Sequence, residues 1–322
     1  MQSIDTIPRS PYGSSLPDET LLAEAIDVRT VDVAKGVQIG YTLLNKQLIG
    51  EASPIVAIGG FMSDVTSPDG AWEGVQLATL KRPVLMLDIP GHGLSSPNDK
   101  RQIIDLCIRR KSDSHVAPLV EAVQLLLNPN DELDYFGISH GGHLSLKATE
   151  LDPGDRVGTV LGIDIPAVKR RFTLGLQAGY IVADNLIGRK KYLEELQGTD
   201  FLRDFEEFKI AFEQKESKRA DSFIKNNTGL FLLNLVASIN ARPVALESWQ
   251  TIMDTKSAKV VAVTSENGHV SDPAAIEAFI EGLAEGHKER SSQVVIGGED
   301  HNLSIVHLMP RAVEWAKTAY KS

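Results

Sequence analysis

Ser139 lies in the run Phe136-Gly137-Ile138-Ser139-His140-Gly141-Gly142, a serine with glycine two residues away on either side. Strand formers precede it, in Glu132 to Phe136, and a helix-forming run follows it, in Leu144 to Glu150. A serine at a sharp strand-to-helix turn sits in a strained backbone conformation, and small neighbours let strand and helix approach closely enough to make the turn. The spacing predicts a nucleophile elbow with the Ser139 hydroxyl standing clear at a helix N-terminus. A lone serine hydroxyl is a poor nucleophile. It needs a base, a carboxylate to orient that base, and donors for the oxyanion that forms.

An elbow of this kind places serine, acid and base in that chain order. Eight histidines are present. His140 and His143 are too close to Ser139 to fold back onto it, and His92 and His115 precede it. Of the four that remain, His287 falls in a polar loop and His307 lies inside the last helical pattern. His301 follows a late strand through Gly297-Gly298-Glu299-Asp300 and precedes a helix, so its loop points toward the elbow. His301 is the expected base. One oxyanion donor is the N–H of His140. The second should come from the loop after the first buried strand, Gly59-Gly60-Phe61-Met62, and is assigned to Phe61.

The elements around these residues alternate. Pro54 to Ile58, Pro83 to Asp88, Glu132 to Phe136 and Val157 to Asp164 are short, almost wholly apolar runs that suit strands buried on both faces. Helical patterns over 71–80 and 113–128 separate them, the second with Val116, Leu119, Val120 and Val123 at helical spacing. Two further strands, 26–33 and 37–44, flank a Lys35-Gly36 hairpin signal, after a loose arm over 1–20. The alternation predicts an α/β fold with a mostly parallel central sheet and helices on both faces. It stops over 166–241, a helical block, and resumes with Lys259 to Thr264, Pro273 to Leu283, Gln293 to Ile296 and Asn302 to Tyr320. The expected organisation is a core of 1–165 and 242–322 with 166–241 inserted as a helical lid. Phe201, Phe205, Phe208 and Phe212 share one helix face in that lid. They either fasten the lid to the body or form an apolar wall for a substrate.

With a formal charge of -10, the chain lacks the basic face that a nucleic acid or an anionic membrane requires. The single cysteine, Cys107, allows no internal disulfide and is read as packing. No secretory signal, membrane span, phosphate-binding glycine loop or zinc-protease pattern is evident, so a soluble cytoplasmic protein without a cofactor, acting on a small molecule, is expected. Its oligomeric state is not written in the sequence.

Three stretches together resemble the α/β-hydrolase superfamily in its lidded branch: Gly59-Gly60-Phe61, Asp88-Ile89-Pro90-Gly91-His92-Gly93-Leu94-Ser95, and Gly137-Ile138-Ser139-His140-Gly141. The resemblance covers about 25–165 and 258–320, and it implies that Asp88 and His92 are structural. The chain departs from the family in two places. Gly59-Gly60 stands where His-Gly is usual, and the usual acid position, within Thr264 to Pro273, aligns with Gly268. Asp164, at the end of the strand after the elbow helix, is where some relatives, including thioesterases of peptide and polyketide assembly lines, carry their acid. Glu266 is the second candidate. Asp272 directly precedes Pro273, which suits a helix cap. The expected activity is a serine hydrolase cleaving an ester, thioester or amide of a small apolar substrate through an acyl-enzyme. An acyltransferase, a C–C bond hydrolase or lyase, or a binding protein with a degraded triad are the alternatives.

Overall fold

The computed structural model describes residues 19–60, 64–109, 111–167, 197, 200–216, 244–266 and 271–296, with isolated positions 313, 316, 317, 319 and 320. Phe61, His301, Cys107's side chain, most of the 166–241 block and most of the 302–320 helix lie outside the described residues.

Helix α1 (Glu19–Ile26) leads into an antiparallel pair, β1 (Arg29–Val33) and β2 (Val37–Leu44), joined through Gly36 at φ 71°. Residues 19–26 are therefore a helix, where the sequence reading placed the end of an arm and the start of a strand. What fixes α1 is tertiary contact. Thr42 Oγ1 donates to the Glu24 carbonyl at 2.8 Å, and the Asn45 N–H donates to the buried Glu24 carboxylate at 2.7 Å.

There follow β3 (Ile55–Ile58), α2 (Pro68–Ala78), β4 (Val84–Leu87), α3 (Lys100–Ile104), α4 (Asp113–Leu126), β5 (Leu133–Ile138), α5 (His140–Leu151) and β6 (Val157–Ile163). Helix α6 (Asp200–Glu216) lies in the inserted block. The chain continues with α7 (Val244–Thr255), β7 (Lys259–Ser265), α8 (Pro273–Glu281), α9 (Glu285–Lys288) and β8 (Ser291–Ile296). The eight strands form one sheet in the order β1-β2-β4-β3-β5-β6-β7-β8. β2 runs antiparallel to both its neighbours, and every pairing from β4 to β8 is parallel. β3, β4 and β5 are buried along their whole length, as continuous apolar runs covered on both faces must be.

Two apolar layers clothe the sheet. On one face Val116, Leu119 and Val123 of α4, Leu144 of α5 and Trp249 and Ile252 of α7 pack together; on the other lie Ala25 of α1, Trp72 and Val75 of α2, and Phe208 and Phe212 of α6. Asp272 caps α8 as its sequence position suggests, while α2 starts three residues before the expected 71–80 helix, on a Ser67 cap. Ser67 accepts from the Gly70 N–H at 3.1 Å to start α2, and Asp272 accepts from the Ala275 N–H at 3.1 Å to start α8, each with proline at the first helical position.

The phenylalanine stripe fastens α6 to the body. Phe205 and Phe208 meet the Trp72 ring, with centroids 5.9 and 5.0 Å away, and Phe208 packs on Phe212 at 5.8 Å. Phe208 and Phe212 are 1% and 2% exposed, so they have no surface left for a ligand. Burial of this kind contributes about 1.5–3 kcal/mol per side chain. Phe201's side chain lies outside the described residues.

Candidate active site at the carboxyl ends of β3, β5, β6 and β7

Ser139 occupies the single residue between β5 and α5, at φ 53° and ψ -120°. The left-handed region is costly for a residue with a Cβ, and such strain persists only where the surroundings impose it. Here the surroundings are backbone. A Cβ on Gly141 would collide with the carbonyl oxygens of Ile58 and Gly59, and a Cβ on Gly137 would come within 2.5 Å of the Gly142 nitrogen. The two glycines let α5 start almost in contact with the end of β3. Ser139 donates its N–H to the Ile163 carbonyl at 2.7 Å, and its own carbonyl accepts from the Gly142 N–H at 3.0 Å. Its side chain is partly exposed, while His140 and everything from Leu133 to Ile138 are buried.

The loop after β3 runs alongside. A Cβ built on Gly60 would lie 3.9 Å from Ser139 Cβ. His140 is the first residue of α5, where first-turn N–H groups point out along the helix axis. Phe61, the expected second donor, follows Gly60 in the chain and lies outside the described residues.

The next strand end repeats the pattern. Asp164 follows β6, has φ 46°, and is 0% exposed. Its N–H donates to the Val263 carbonyl at 2.7 Å, which ties it to β7. Its carboxylate accepts twice from one residue, from the Ser265 N–H and the Ser265 hydroxyl, both at 2.7 Å. The ends of β5, β6 and β7 are thus laced in sequence, Ser139 to Ile163 and Asp164 to Val263 and Ser265. Ile165 locks this edge to α5, the helix that follows Ser139. Its side chain fills the space over Gly162, and a Cβ on Gly142 would lie 3.0 Å from Ile165 Cγ1.

Glu266 is placed differently. It is exposed, in the turn after β7, with its N–H donating to the Ile296 carbonyl at 2.9 Å. At the usual strand spacing its strand is about 10 Å from β5, while that of Asp164 is its immediate neighbour. Asp272 is the cap of α8. The structure therefore brings Ser139, His140, Gly60 and Asp164 to one edge, sets Glu266 at its solvent side, and leaves His301 and Phe61 outside the described residues.

Behind the elbow lies a cluster that sequence reasoning treated one residue at a time. His115 of α4 and His140 lie with ring centroids 6.3 Å apart, and His140 stacks on His143 at 5.9 Å with an interplanar angle of 7°. His115 Nδ1 and Asn98 Oδ1 are 2.7 Å apart. His143 is 1% exposed, and neither of its ring nitrogens has a hydrogen-bond partner among the described residues. Burial favours the neutral form of three of the histidines in this region. It lowers His92 to about 4; burial and then His92 and His143 lower His115 to about 3; burial and then Lys147 lower His143 to about 4. Only the fold reveals that four histidines spread over 52 residues of sequence meet in this region.

Asp88 behaves as the resemblance implies. It is fully buried, accepts from the Val65 N–H at 2.7 Å and the Leu94 N–H at 3.0 Å, and so pins the segment after the β3 loop to the turn after β4. Burial, and then Asp64, push its carboxyl up to about 8. Among the described residues no group of three or more His, Cys, Asp or Glu is arranged to hold a metal ion, and no helix is long and apolar enough to cross a membrane.

No protein-family model matches the chain, and no curated sequence does. Solved structures do. The thioesterase domain from the curacin biosynthetic pathway superposes with a TM-score of 0.56 at 16% identity, covering 90% of this chain and 98% of that one. The N-formylmaleamic acid deformylase Nfo from Pseudomonas putida S16 gives 0.58 at 16% identity, covering 92% and 100%. The enol-lactonase from Burkholderia xenovorans LB400 gives 0.56 at 15% identity, covering 91% and 98%. Identities this low speak for architecture. With its eight-stranded, mostly parallel sheet and a strained serine between β5 and α5, the chain has the α/β-hydrolase fold.

Proposed function

We propose that the protein is a serine hydrolase that cleaves an ester, thioester or amide through an acyl-enzyme on Ser139. The observation that carries this reading is the enforced φ of 53° at Ser139, on a strand-to-helix turn that only glycine neighbours permit, beside the backbone of Gly60. Strain of this kind is kept where it serves a site. The three structural neighbours named above, a thioesterase domain, a deformylase and an enol-lactonase, support the same class.

In this mechanism His301 accepts the Ser139 hydroxyl proton as Oγ attacks the substrate carbonyl. The N–H groups of His140 and Phe61 hold the oxyanion. His301 then gives its proton to the departing alcohol, thiol or amine, which leaves with the bonding pair. Water repeats the sequence, its proton passing to His301 and then to Ser139 as the acid product leaves. Asp164 is the acid that orients His301. It is buried and neighbours the nucleophile's strand, whereas Glu266 stands in solvent. The phenylalanines of α6 do not argue for an apolar substrate, because two of them are spent on packing.

A fluorophosphonate probe should label the wild-type protein and leave Ser139→Ala unlabelled. Absence of labelling in wild type, or equal labelling of both, would rule the mechanism out. A panel of chromogenic esters of increasing chain length, run beside a thioester and an amide, then finds the substrate class. Glu266→Gln should keep wild-type turnover to within about threefold, as a surface substitution does.

A further inference from the structure

We propose that Ser265 is a positioning residue that fixes Asp164 as the acid of the site. The proposal rests on the reading of Asp164 given above and adds a second residue to it. Ser265 is the last residue of β7, the strand after which the superfamily resemblance leads one to expect the acid itself. In this chain the end of β7 carries donors instead. The Ser265 N–H and hydroxyl each reach a different oxygen of the Asp164 carboxylate, both at 2.7 Å. Ser265 and Asp164 are each 0% exposed. Two donors on one residue, aimed at both oxygens, fix the plane of the carboxylate as well as its place. A carboxylate at the end of a two-bond side chain needs that restraint, since its terminal torsion is broad.

The same arrangement accounts for Asp164's φ of 46°. Aspartate tolerates the left-handed region better than most residues, but it still occupies it only where neighbours compensate. Here the Asp164 N–H is tied to Val263, two residues before Ser265 on the same strand. The β7 end thus holds Asp164 through both its backbone and its side chain. Asp164 and the residue that restrains it thus sit at the ends of adjacent parallel strands.

The test compares Ser265→Ala and Ser265→Cys with Asp164→Asn, on whichever chromogenic ester the wild type turns over. The cysteine variant keeps the volume and gives up the strong donor, so it serves if the alanine variant folds poorly. Both Ser265 variants should lose roughly ten- to a hundredfold in kcat with KM held, as misplacement of a catalytic group by about 1 Å does. The acidic limb of the kcat/KM profile should move to higher pH, because a carboxylate with one donor fewer favours the imidazolium form of the base. A purely structural role for Ser265 would lower thermal stability and leave that limb in place, which would overturn the proposal. Wild-type turnover in either folded Ser265 variant, with Asp164→Asn inactive, would overturn it while leaving the reading of Asp164 intact. Full activity in Asp164→Asn would remove both.

Discussion

At the amino end of β5, Asp134 faces a full ionic partner. Arg82 Nη2 lies 2.5 Å from one carboxylate oxygen, the Thr159 N–H donates to the other at 2.7 Å, and the Tyr320 ring lies over the guanidinium at 4.9 Å. At the carboxyl end of neighbouring β6, Asp164 is buried still more completely, and Ser265 donates to both of its carboxylate oxygens. The backbone differs in the same sense. The carboxyl ends of β5 and β6 each finish in a non-glycine residue of positive φ, and glycines there press directly on carbonyl groups. At the amino end, an open cleft of about 400 Å³ is lined by Arg82, Asp134, Thr159, Lys259 and Tyr320, and its one described neighbour of positive φ that is not glycine, Lys81, sits in the turn just before Arg82. A charge neutralised by an opposite charge is finished as chemistry and serves stability. The donors described for Asp164 instead fix the plane of its carboxylate, as the proposed acid of the site requires.

The sharpest way to break this contrast is to remove each charge in turn. Asp164→Asn should lower turnover by about 10³- to 10⁴-fold, as loss of the orienting carboxylate does in a triad, with little change in melting temperature. Asp134→Asn should do the reverse, costing on the order of 2 kcal/mol in denaturant unfolding while leaving turnover within a few-fold. If the two variants exchanged phenotypes, the assignment of roles to the two ends would be wrong.

Glycine substitutions sharpen the same comparison through sterics. A Cβ on Gly141 strikes backbone carbonyls that cannot retreat, so Gly141→Ala should cost at least about 3 kcal/mol and most of the activity. A Cβ on Gly158, at the amino end, lies 2.6 Å from Glu132 Oε1, the far end of an exposed side chain that can swing away, and 3.1 Å from Asp134 Oδ1, which need give by only a few tenths of an ångström. Gly158→Ala should cost no more than about 1 kcal/mol. Urea unfolding of both variants decides it.

The histidines behind the elbow give the smallest and most graded effect. His92, His115 and His143 titrate lower in the folded chain, at about 4, 3 and 4, than the ordinary value of 6.5. A lowered pKa means that the unfolded chain binds the proton first. The stability these neutral rings contribute is complete above pH 6.5 and is lost as pH falls through that value toward about 4. The melting temperature should therefore drop by several degrees across that interval. His143→Leu should flatten the drop, and an unchanged slope would show that other groups drive it. Asp88, raised to about 8, acts in the opposite sense: its contribution is complete below about 3.8 and is lost as pH rises through about 8.

Much of this was legible in the residues because local rules and the tertiary fold agreed. Ile55–Ile58 and Val84–Leu87 read as strands buried on both faces and are so, Asp272-Pro273 reads as a cap and is one, and the glycines around Ser139 are required by contacts their spacing anticipates. Helix α1 was not legible, since eight residues near a terminus owe their shape to Thr42 and Asn45 at the far side of a hairpin. Ser265 carried no signal either. A serine at a strand end is common, and its meaning comes from a carboxylate 101 residues away that only the β6–β7 pairing brings to it. The proposal of Asp164 over Glu266 rests on burial, and burial at a strand end depends on the neighbours that cover it.

Ile165 lies over the notch made by Gly142 of α5 and Gly162 of β6. These three positions must change as a unit during evolution. A larger residue at either glycine is viable only alongside a smaller one at 165, and each single step on that route passes through a damaged fold. Among divergent relatives they should therefore covary as a triplet, so drift there is slow even though none of the three performs chemistry.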